Sequence, residues 1–269
     1  MLFMDNQVNR FILLAVFISH SFMLSAQDYQ GTTGLLHVPS AEMAAPGTFR
    51  GNMSFIHRKL LPEELWSYAD GKPFNTMTYT IGITAFSWLE LSYASTLVKI
   101  YPSNDRTKEP GFYNQDRHVN LKIRPLKEGP WWPAVAIGWD DVGNWESYVD
   151  KASFTANNFF ENIYVTSTKH FDMYGHHLGV HLAYRYYQST KSRTHHGVVG
   201  GITVVPSISE IWQENLTWMS QPRFIMEWDG AGVNIGADVL LWRHLFIQAC
   251  IVHGSGFMGG LSYHYTIRF

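Results

Sequence analysis

The chain lacks several features that mark common protein classes. Its 269 residues include one cysteine, Cys250, so an internal disulfide and a cysteine-rich metal site are both excluded. The formal net charge of −2 provides no basic stripe that could offset nucleic-acid phosphates. The Gly-x-Ser-x-Gly elbow of α/β-hydrolases is also missing. These absences argue against disulfide scaffolds, nucleic-acid-binding proteins and serine hydrolases of that fold.

Long apolar runs are scarce as well. The run FILLAVFISHSFML at 11–24 follows Arg10 and precedes Ser25 and Ala26. It is shorter than the roughly 20 residues that a spanning helix needs. A basic residue, a short apolar core and small residues in this order are typical of a secretory signal peptide. We therefore predict a signal peptide over residues 1–26, with a membrane anchor as the weaker alternative.

Aromatic residues, by contrast, are abundant. They make up 15% of the chain, although the mean hydropathy of −0.12 is too polar for a helical membrane protein. A membrane β-barrel combines these two properties, because half of each strand faces lipid and the other half faces a polar lumen.

Alternation with a period of two residues recurs along almost the whole mature chain. In NTMTYTIGITA, for example, Met77, Tyr79 and Ile81 share one face, and Thr78 and Thr80 share the other. The fold class predicted from this pattern is all-β, a single antiparallel transmembrane β-barrel of about twelve strands. The predicted strands are 48–57, 75–85, 89–97, 117–126, 133–140, 160–171, 176–187, 197–205, 222–229, 232–241, 245–253 and 257–269.

The predicted connections alternate between long outer loops and short inner turns, as in a barrel with both ends in the periplasm. Four tryptophans at or beside inner turns indicate an aromatic girdle, namely Trp88, Trp131, Trp132 and Trp242. The inner connection 206–221 is the long exception. Ile208, Ile211, Trp212 and Leu216 have helical spacing there and predict a short periplasmic amphipathic helix, either on the inner leaflet or under the barrel mouth.

The C-terminal strand has the pattern of a closing barrel strand. Tyr263, Tyr265 and Ile267 alternate with polar residues, and the chain ends on Phe269. A terminal aromatic residue is the signal that the barrel assembly machinery reads in barrel proteins generally. Together with the signal peptide, it predicts a location in the outer membrane of a Gram-negative bacterium, in contact with lipid.

Parity assigns ten charged residues of both signs to the lumen, namely Arg50, Glu90, Lys122, Arg124, Asp140, Arg185, Arg223, Glu227, Asp238 and Arg268. Such mixed charges form structural networks that stiffen or plug a barrel. We expect Glu227 and Asp238 to pair with Arg223 and Arg268, and Asp229 and Asn234 to join this lumenal polar network. Small inward residues leave room for water or a segment of chain, namely Gly82, Ala94, Ala134, Ala136, Gly138, Gly179 and Ala183.

The thirteen histidines suggest a metal site only superficially. The adjacent pairs His176–His177 and His195–His196 point to opposite faces of a strand. His170, His181 and His264 could share the lumen, but their spacing makes no set of three ligands. We therefore expect no metal and no cofactor.

An enzyme is also not expected. Ser262 and His264 share one face of one strand, as in barrel lipid hydrolases, but two residues along a strand are roughly 6.5–7 Å apart. No catalytic residue is therefore predicted, and a barrel lipid hydrolase or acyltransferase stays the least favoured alternative.

Two stretches of the chain carry motifs that are distinctive together. The first, GTTGLLHVPSAEMAAPGTF, carries an N-terminal motif of Gly34, Leu35, Pro39, Ser40, Ala41, Pro46 and Gly47. The second, QPRFIMEWDGAGVNIGADVLL, carries a hairpin motif of Pro222, Glu227, Asp229, Gly230, Asn234 and Gly236. Both resemble the YjbH-like family of outer-membrane proteins linked to exopolysaccharide production. The resemblance implies a role in exopolysaccharide export or surface assembly.

The residues predict the organisation of the chain independently of this resemblance. Pro39 and Pro46 prevent a regular central strand, and Ser40 could cap a turn of helix at 41–45. Residues 27–47 should therefore cap or enter a barrel formed by 48–269. Two readings of function stay open besides the enzyme. One is a barrel that assists polysaccharide export with periplasmic partners, and the other is a passive porin or hydrophobic-compound channel. No nucleic-acid partner is expected.

Overall fold

Alternating polar and apolar residues form twelve strands that close into one antiparallel barrel. The computed structural model describes residues 27–142, 159–187, 196–207, 218–220 and 222–267. Each strand pairs with its neighbours in sequence, and the first pairs with the last. The strands are β1 (Thr48–Ile56), β2 (Thr76–Phe86), β3 (Leu89–Ile100), β4 (Gly111–Leu126), β5 (Ala134–Asp140), β6 (Asn162–Met173), β7 (His176–Tyr187), β8 (Gly197–Val205), β9 (Arg223–Trp228), β10 (Val233–Leu241), β11 (Leu245–Val252) and β12 (Gly256–Thr266).

The predicted all-β fold and the strand number are confirmed. The largest difference is in β4, which begins at Gly111 rather than at 117, because it pairs with an extended β3 as far as Ile100. The predicted helix in the connection 206–221 lies largely outside the described residues, since 208–217 and 221 are not among them. Within the part that is described, no helix is long and apolar enough to cross a membrane.

The two faces of the barrel wall have opposite chemistry. On β2, Thr76, Thr78 and Thr80 are buried, whereas Ile81 is 65% exposed. The same inversion recurs on β7, where His181 is buried and Leu182 is 58% exposed. The wall is therefore polar inside and apolar outside, the reverse of a protein folded around an apolar core.

The two ends of the barrel differ in their connections. At one end, termed the short-turn end, strands join through tight turns such as Tyr174–Gly175 and Trp242–Arg243, whose residues all have positive φ. In the two-residue turn Tyr174–Gly175, positive φ at both residues matches the right-handed twist of paired strands. Trp88, Trp131, Trp132 and Trp242 are all exposed at this end. At the other end, termed the long-loop end, short 3-10 helices Arg58–Leu60 and Glu63–Ala69 lie in the connection between β1 and β2.

The lumen is occupied by the chain itself. Residues 27–43, termed the plug segment, are all buried. The segment folds back on itself through two isolated bridges, Gln27 to Thr33 and Gly34 to Pro39. A barrel of about eight strands is filled by its own side chains, and one of about 16–18 leaves an aqueous channel. Twelve strands fall between these sizes and leave room for a folded segment.

Apolar contacts join the plug segment to the long-loop end. One cluster joins plug residues Tyr29, Leu35 and Leu36 to Leu60 and Leu65 of the connection between β1 and β2. The same cluster includes wall residues such as Ile56 and Val252, so it links the plug, the wall and this connection.

Candidate functional site

The strongest link between the plug segment and the wall is the carboxylate of Glu227 on β9. It accepts hydrogen bonds from three consecutive backbone N–H groups, those of Leu36 at 3.1 Å, His37 at 3.0 Å and Val38 at 3.1 Å. From β10, the Asn234 side-chain amide donates to the same carboxylate at 2.8 Å. A carboxylate that accepts several amide N–H bonds is held in one orientation, so Glu227 fixes the tip of the plug.

Asp229 extends this anchor into the hairpin between β9 and β10. One oxygen accepts the N–H groups of Ala231 and Gly232, both at 2.9 Å, and thereby holds the turn. The other accepts from Asn234 at 3.0 Å and lies 3.3 Å from Nδ1 of His37. The conformation of the turn and the position of the plug therefore depend on the same side chain.

A second anchor lies on the opposite wall, around Glu90 of β3. Its carboxylate accepts from the backbone N–H of Thr33 at 3.0 Å and from the Arg50 guanidinium at 3.0 Å. The Lys122 ammonium donates to the Thr33 carbonyl at 2.6 Å and lies 3.6 Å from Glu90. All four residues are buried, so each charge depends on the others for compensation.

A third set of contacts holds Gln30 of the plug segment. Asn120 and Ser92 both donate to the Gln30 carbonyl, at 2.7 and 2.9 Å. The Gln30 side-chain oxygen lies 2.6 Å from Nε2 of His118. The backbone of the plug segment therefore finds in the wall the partners that it would otherwise find in regular secondary structure.

The fourth anchor lies near the short-turn end and contains the predicted pair of Arg223 and Asp238. These two side chains are 2.8 Å apart across β9 and β10. Arg223 also reaches Glu42 of the plug segment at 3.3 Å. Burial on its own would raise the pKa of the Glu42 carboxyl, but the Arg223 charge and a hydrogen bond from His170 outweigh it and hold that pKa well below its ordinary value.

The structure corrects the predicted partners of Glu227. Arg223 was expected to pair with it, but Arg223 binds Asp238 and Glu42 instead, and Glu227 binds plug amides and Asn234. The reason is that the plug segment supplies unpaired N–H groups, which parity along the strands could not indicate. Arg268 lies outside the described residues. Arg124 is only half-buried, with its guanidinium on the Ser87 carbonyl at 2.7 Å.

The N-terminal motif residues build the fold of the plug segment and its exit. Gly34 and Pro39 bridge to each other, and Leu35 is fully buried. Ala41 packs with Ala134 and Ala136 of β5. Near the exit, Pro46 is exposed and Gly47 is buried, and the Gly47 N–H donates to the Thr84 carbonyl at 2.8 Å.

The predicted turn of helix at 41–45 is wrong. Ser40 accepts only from the N–H of Glu42, at 3.3 Å, and no helix follows. The backbone N–H and carbonyl groups that would pair within a helix bind side chains of the wall instead. The Ala41 N–H donates to Thr168 at 2.9 Å, and the Glu42 carbonyl accepts from Lys122 at 2.6 Å.

Small residues on the inner face make room for these contacts. At Gly82, an added Cβ would lie 3.0 Å from the Gly31 carbonyl oxygen of the plug segment. At Gly201, an added Cβ would lie 2.7 Å from the Leu35 side chain, so the plug approaches the bare backbone there. Gly82 was predicted to leave room, whereas Gly201 was not singled out.

The serine and histidines considered for chemistry are placed apart. Ser262 is buried and donates to the Gln27 side chain at 2.9 Å, while His264 stacks on Phe246 with ring centroids 5.3 Å apart. His170 and His181, by contrast, come together, with ring centroids 6.0 Å apart. Their common neighbour Glu42 was missed, because nothing in the local sequence connects a plug residue with β6 and β7.

Comparison with known proteins shows which family the chain belongs to. The protein named "Uncharacterized lipoprotein YjbH" from Escherichia coli (strain K12) is 30% identical over 121 residues. That alignment covers 44% of this chain but only 15% of the relative, so the chain spans a small part of its length. The family described as "Exopolysaccharide biosynthesis protein YbjH" matches residues 25–189, which include the plug segment and β1 to β7. This match extends over more than half of the chain, and the chain therefore belongs to the YjbH exopolysaccharide biosynthesis family.

Proposed function

We propose that this protein is an outer-membrane β-barrel that assists the export or surface assembly of an exopolysaccharide and is closed at rest by its own plug segment. The family supports the link to exopolysaccharide. The observation that carries the rest of the proposal is the buried plug, which is held by Glu227 and Arg223 of β9 and by Glu90 of β3.

The outer face of the barrel supports a membrane location. Large apolar side chains are exposed around the wall, among them Ile81, Leu182, Phe224, Ile235 and Phe257. In water, an apolar surface of this extent would be unfavourable, whereas in a bilayer it contacts the lipid chains. The exposed tryptophans at the short-turn end suit a membrane interface.

The filled lumen favours an accessory barrel over a passive porin. A porin needs a continuous water path, and the buried plug segment with the apolar cluster beside it argues against such a path. In this proposal, the plug is displaced or rearranged when a periplasmic partner or the polysaccharide engages the barrel. The four anchors would then be the contacts that break when the plug is released.

Conductance of the purified full chain in planar bilayers tests the closed state. We expect the wild-type barrel to give no stable channels and a variant lacking 27–43 to give stable open channels. The variant Glu109→Ala, which changes an exposed loop residue, serves as a control that should stay closed. Stable channels from the wild type would favour a passive porin instead.

The biological role is tested separately in the native host. Removal of the gene should reduce surface or secreted exopolysaccharide, and the wild-type chain should restore it. Complementation with the barrel lacking 27–43 should fail to restore wild-type exopolysaccharide production. Unchanged exopolysaccharide after gene removal would overturn the proposed role but leave the closed barrel standing.

A further inference from the structure

Three side chains from distant parts of the sequence form a set of metal-ligand type near the short-turn end. Glu42 comes from the plug segment, His170 from β6 and His181 from β7. Oε1 of Glu42 is 3.2 Å from Nε2 of His170. One ligand atom from each of the three lies within 4.8 Å of the others. We propose that Glu42, His170 and His181 bind a divalent first-row transition-metal ion such as Zn²⁺, which joins the plug segment to the barrel wall.

The ligand types fit this class of ion. Imidazole nitrogen and carboxylate oxygen are ordinary Zn²⁺ ligands, with metal–ligand distances of about 2.0–2.2 Å. At such distances, two ligand atoms of a tetrahedral site are about 3.3 Å apart. The separation of 3.2 Å between Glu42 and His170 matches this spacing. The ligand atom of His181 lies within 4.8 Å of the other two, and a movement of its ring towards them would complete the set.

His170 is oriented by a carboxylate behind it. Glu128, in the turn between β4 and β5, lies 2.6 Å from Nδ1 of His170 with one oxygen. Its other oxygen accepts the His170 backbone N–H at 2.8 Å. A carboxylate on the far nitrogen is the usual support of a metal-binding histidine, because it fixes the tautomer and leaves the near nitrogen as the ligand. Here that near nitrogen is Nε2, which faces Glu42.

His181 is held between hydroxyl groups that suit either tautomer. Its Nδ1 lies 3.1 Å from Thr168 Oγ1, and its Nε2 lies 3.2 Å from Thr203 Oγ1. A hydroxyl group donates or accepts according to its rotation, so one ring nitrogen of His181 is available as a ligand without loss of both contacts.

A glycine keeps space for both rings. A Cβ added at Gly179 would lie 2.8 Å from His181 Nε2 and 3.3 Å from the Cδ2 atom of His170. Both imidazoles therefore lie close to the backbone of Gly179. The His170 atom nearest to it is Cδ2, which is bonded to the proposed ligand atom Nε2. A side chain at this position would push the rings apart.

Charge and access also suit a cation. The carboxylates of Glu42 and Glu128 both face the imidazole of His170. Arg223 binds Oε2 of Glu42 and leaves Oε1 for the ion. The His170 side chain is 24% exposed, so an ion reaches the site from the short-turn end, whereas His181 is buried.

Zinc binding to the purified full chain tests the proposal. After removal of metals by a chelator, titration with ZnCl₂ should show one saturable site. His181→Gln should abolish it, and Glu128→Gln, which removes only the supporting carboxylate, should weaken it by about 10–100-fold. The control His177→Gln, which removes an exposed histidine next to Asp172, should leave the affinity unchanged.

A second measurement uses the wild-type chain alone, in case His181→Gln fails to fold. Cobalt(II) added to the metal-free barrel should give visible absorption bands of a four- or five-coordinate ion with nitrogen ligands, and Zn²⁺ should remove them. Absence of these bands, or zinc binding that survives His181→Gln and is lost in His177→Gln, would overturn the proposal. In that event His170 only joins Glu42 to Glu128 by hydrogen bonds.

Discussion

The carboxylate of Glu227 accepts the backbone N–H of His37 at 3.0 Å, although the two residues are 190 positions apart in the chain. The adjacent amides of Leu36 and Val38 donate to the same group. One side chain of β9 thus satisfies three donors of the plug segment inside the lumen.

Glu227→Ala should loosen the plug. The substitution leaves three buried N–H groups without their acceptor, and a buried donor without a partner costs about 1–3 kcal/mol. We expect a loss of stability on the order of 2–4 kcal/mol, because local relaxation recovers part of the cost. The folded band on unheated gels should convert at a lower temperature, and channel activity in planar bilayers should rise.

The matched control for this prediction is Glu109→Ala, which removes an exposed carboxylate from the loop between β3 and β4. It should change neither heat resistance nor conductance. If Glu227→Ala is as heat-resistant as the wild type and its conductance is unchanged, then Glu227 does not hold the plug. A water-filled pore then becomes the better description.

The buried pair of Arg223 and Asp238 should show an asymmetry between its partners. Arg223→Met removes the counter-charge of both Asp238 and Glu42, which should cost about 3–5 kcal/mol. Asp238→Asn leaves Arg223 with Glu42 and keeps a hydrogen-bond acceptor, so the loss should be smaller, about 1–3 kcal/mol. Urea unfolding of both variants in detergent measures the difference.

An exposed ion pair provides the control for that comparison. Arg106 and Asp70 are 3.6 Å apart with both side chains in solvent, so Arg106→Met should cause no measurable loss. Equal losses for Arg223→Met and Asp238→Asn would contradict the argument that Arg223 serves two carboxylates.

Acid should destabilise the turn between β4 and β5 through Glu128. Burial raises the pKa of this carboxyl, but hydrogen bonds from His170 and Lys169 outweigh it and lower the pKa below the ordinary value. A group with a lowered pKa stabilises the fold fully above the ordinary value of about 4.3 and loses this contribution as the pH falls through the folded pKa. Heat resistance should therefore decline below about pH 4.3, and more weakly in Glu128→Gln. Identical pH profiles would show that Glu128 contributes nothing.

Cysteine labelling should give the orientation of the barrel. Lys108 is exposed at the long-loop end, and Asp172 is exposed at the short-turn end. In a Cys250→Ala background, Lys108→Cys should react with a membrane-impermeant maleimide on intact cells, whereas Asp172→Cys should react only after the outer membrane is opened. The reverse pattern would invert the proposed orientation.

The barrel wall could be predicted from local sequence. Neighbouring strand residues point to opposite faces, so a strand shows a period of two residues within its own sequence. The twelve strands could therefore be predicted with most boundaries within a few residues. Strand β4 deviated most, because its first residues depend on the extended β3 beside it and not on their own alternation. The burial of Arg50, Glu90, Arg223 and Asp238 followed from the same parity.

The segment that fills the barrel and the pairing of groups inside it depend on contacts between residues far apart in the chain. The sequence of the plug segment has no periodicity from which its contacts with the wall could be predicted. Its contacts with Glu227, Glu90 and Lys122 form because the closed barrel excludes water, so each buried N–H and carbonyl must find a partner in the surrounding wall. The same closure brings Glu42 to His170 and His181 across more than a hundred residues of chain. Alternation sets which way a side chain points, and the closed barrel sets what it meets.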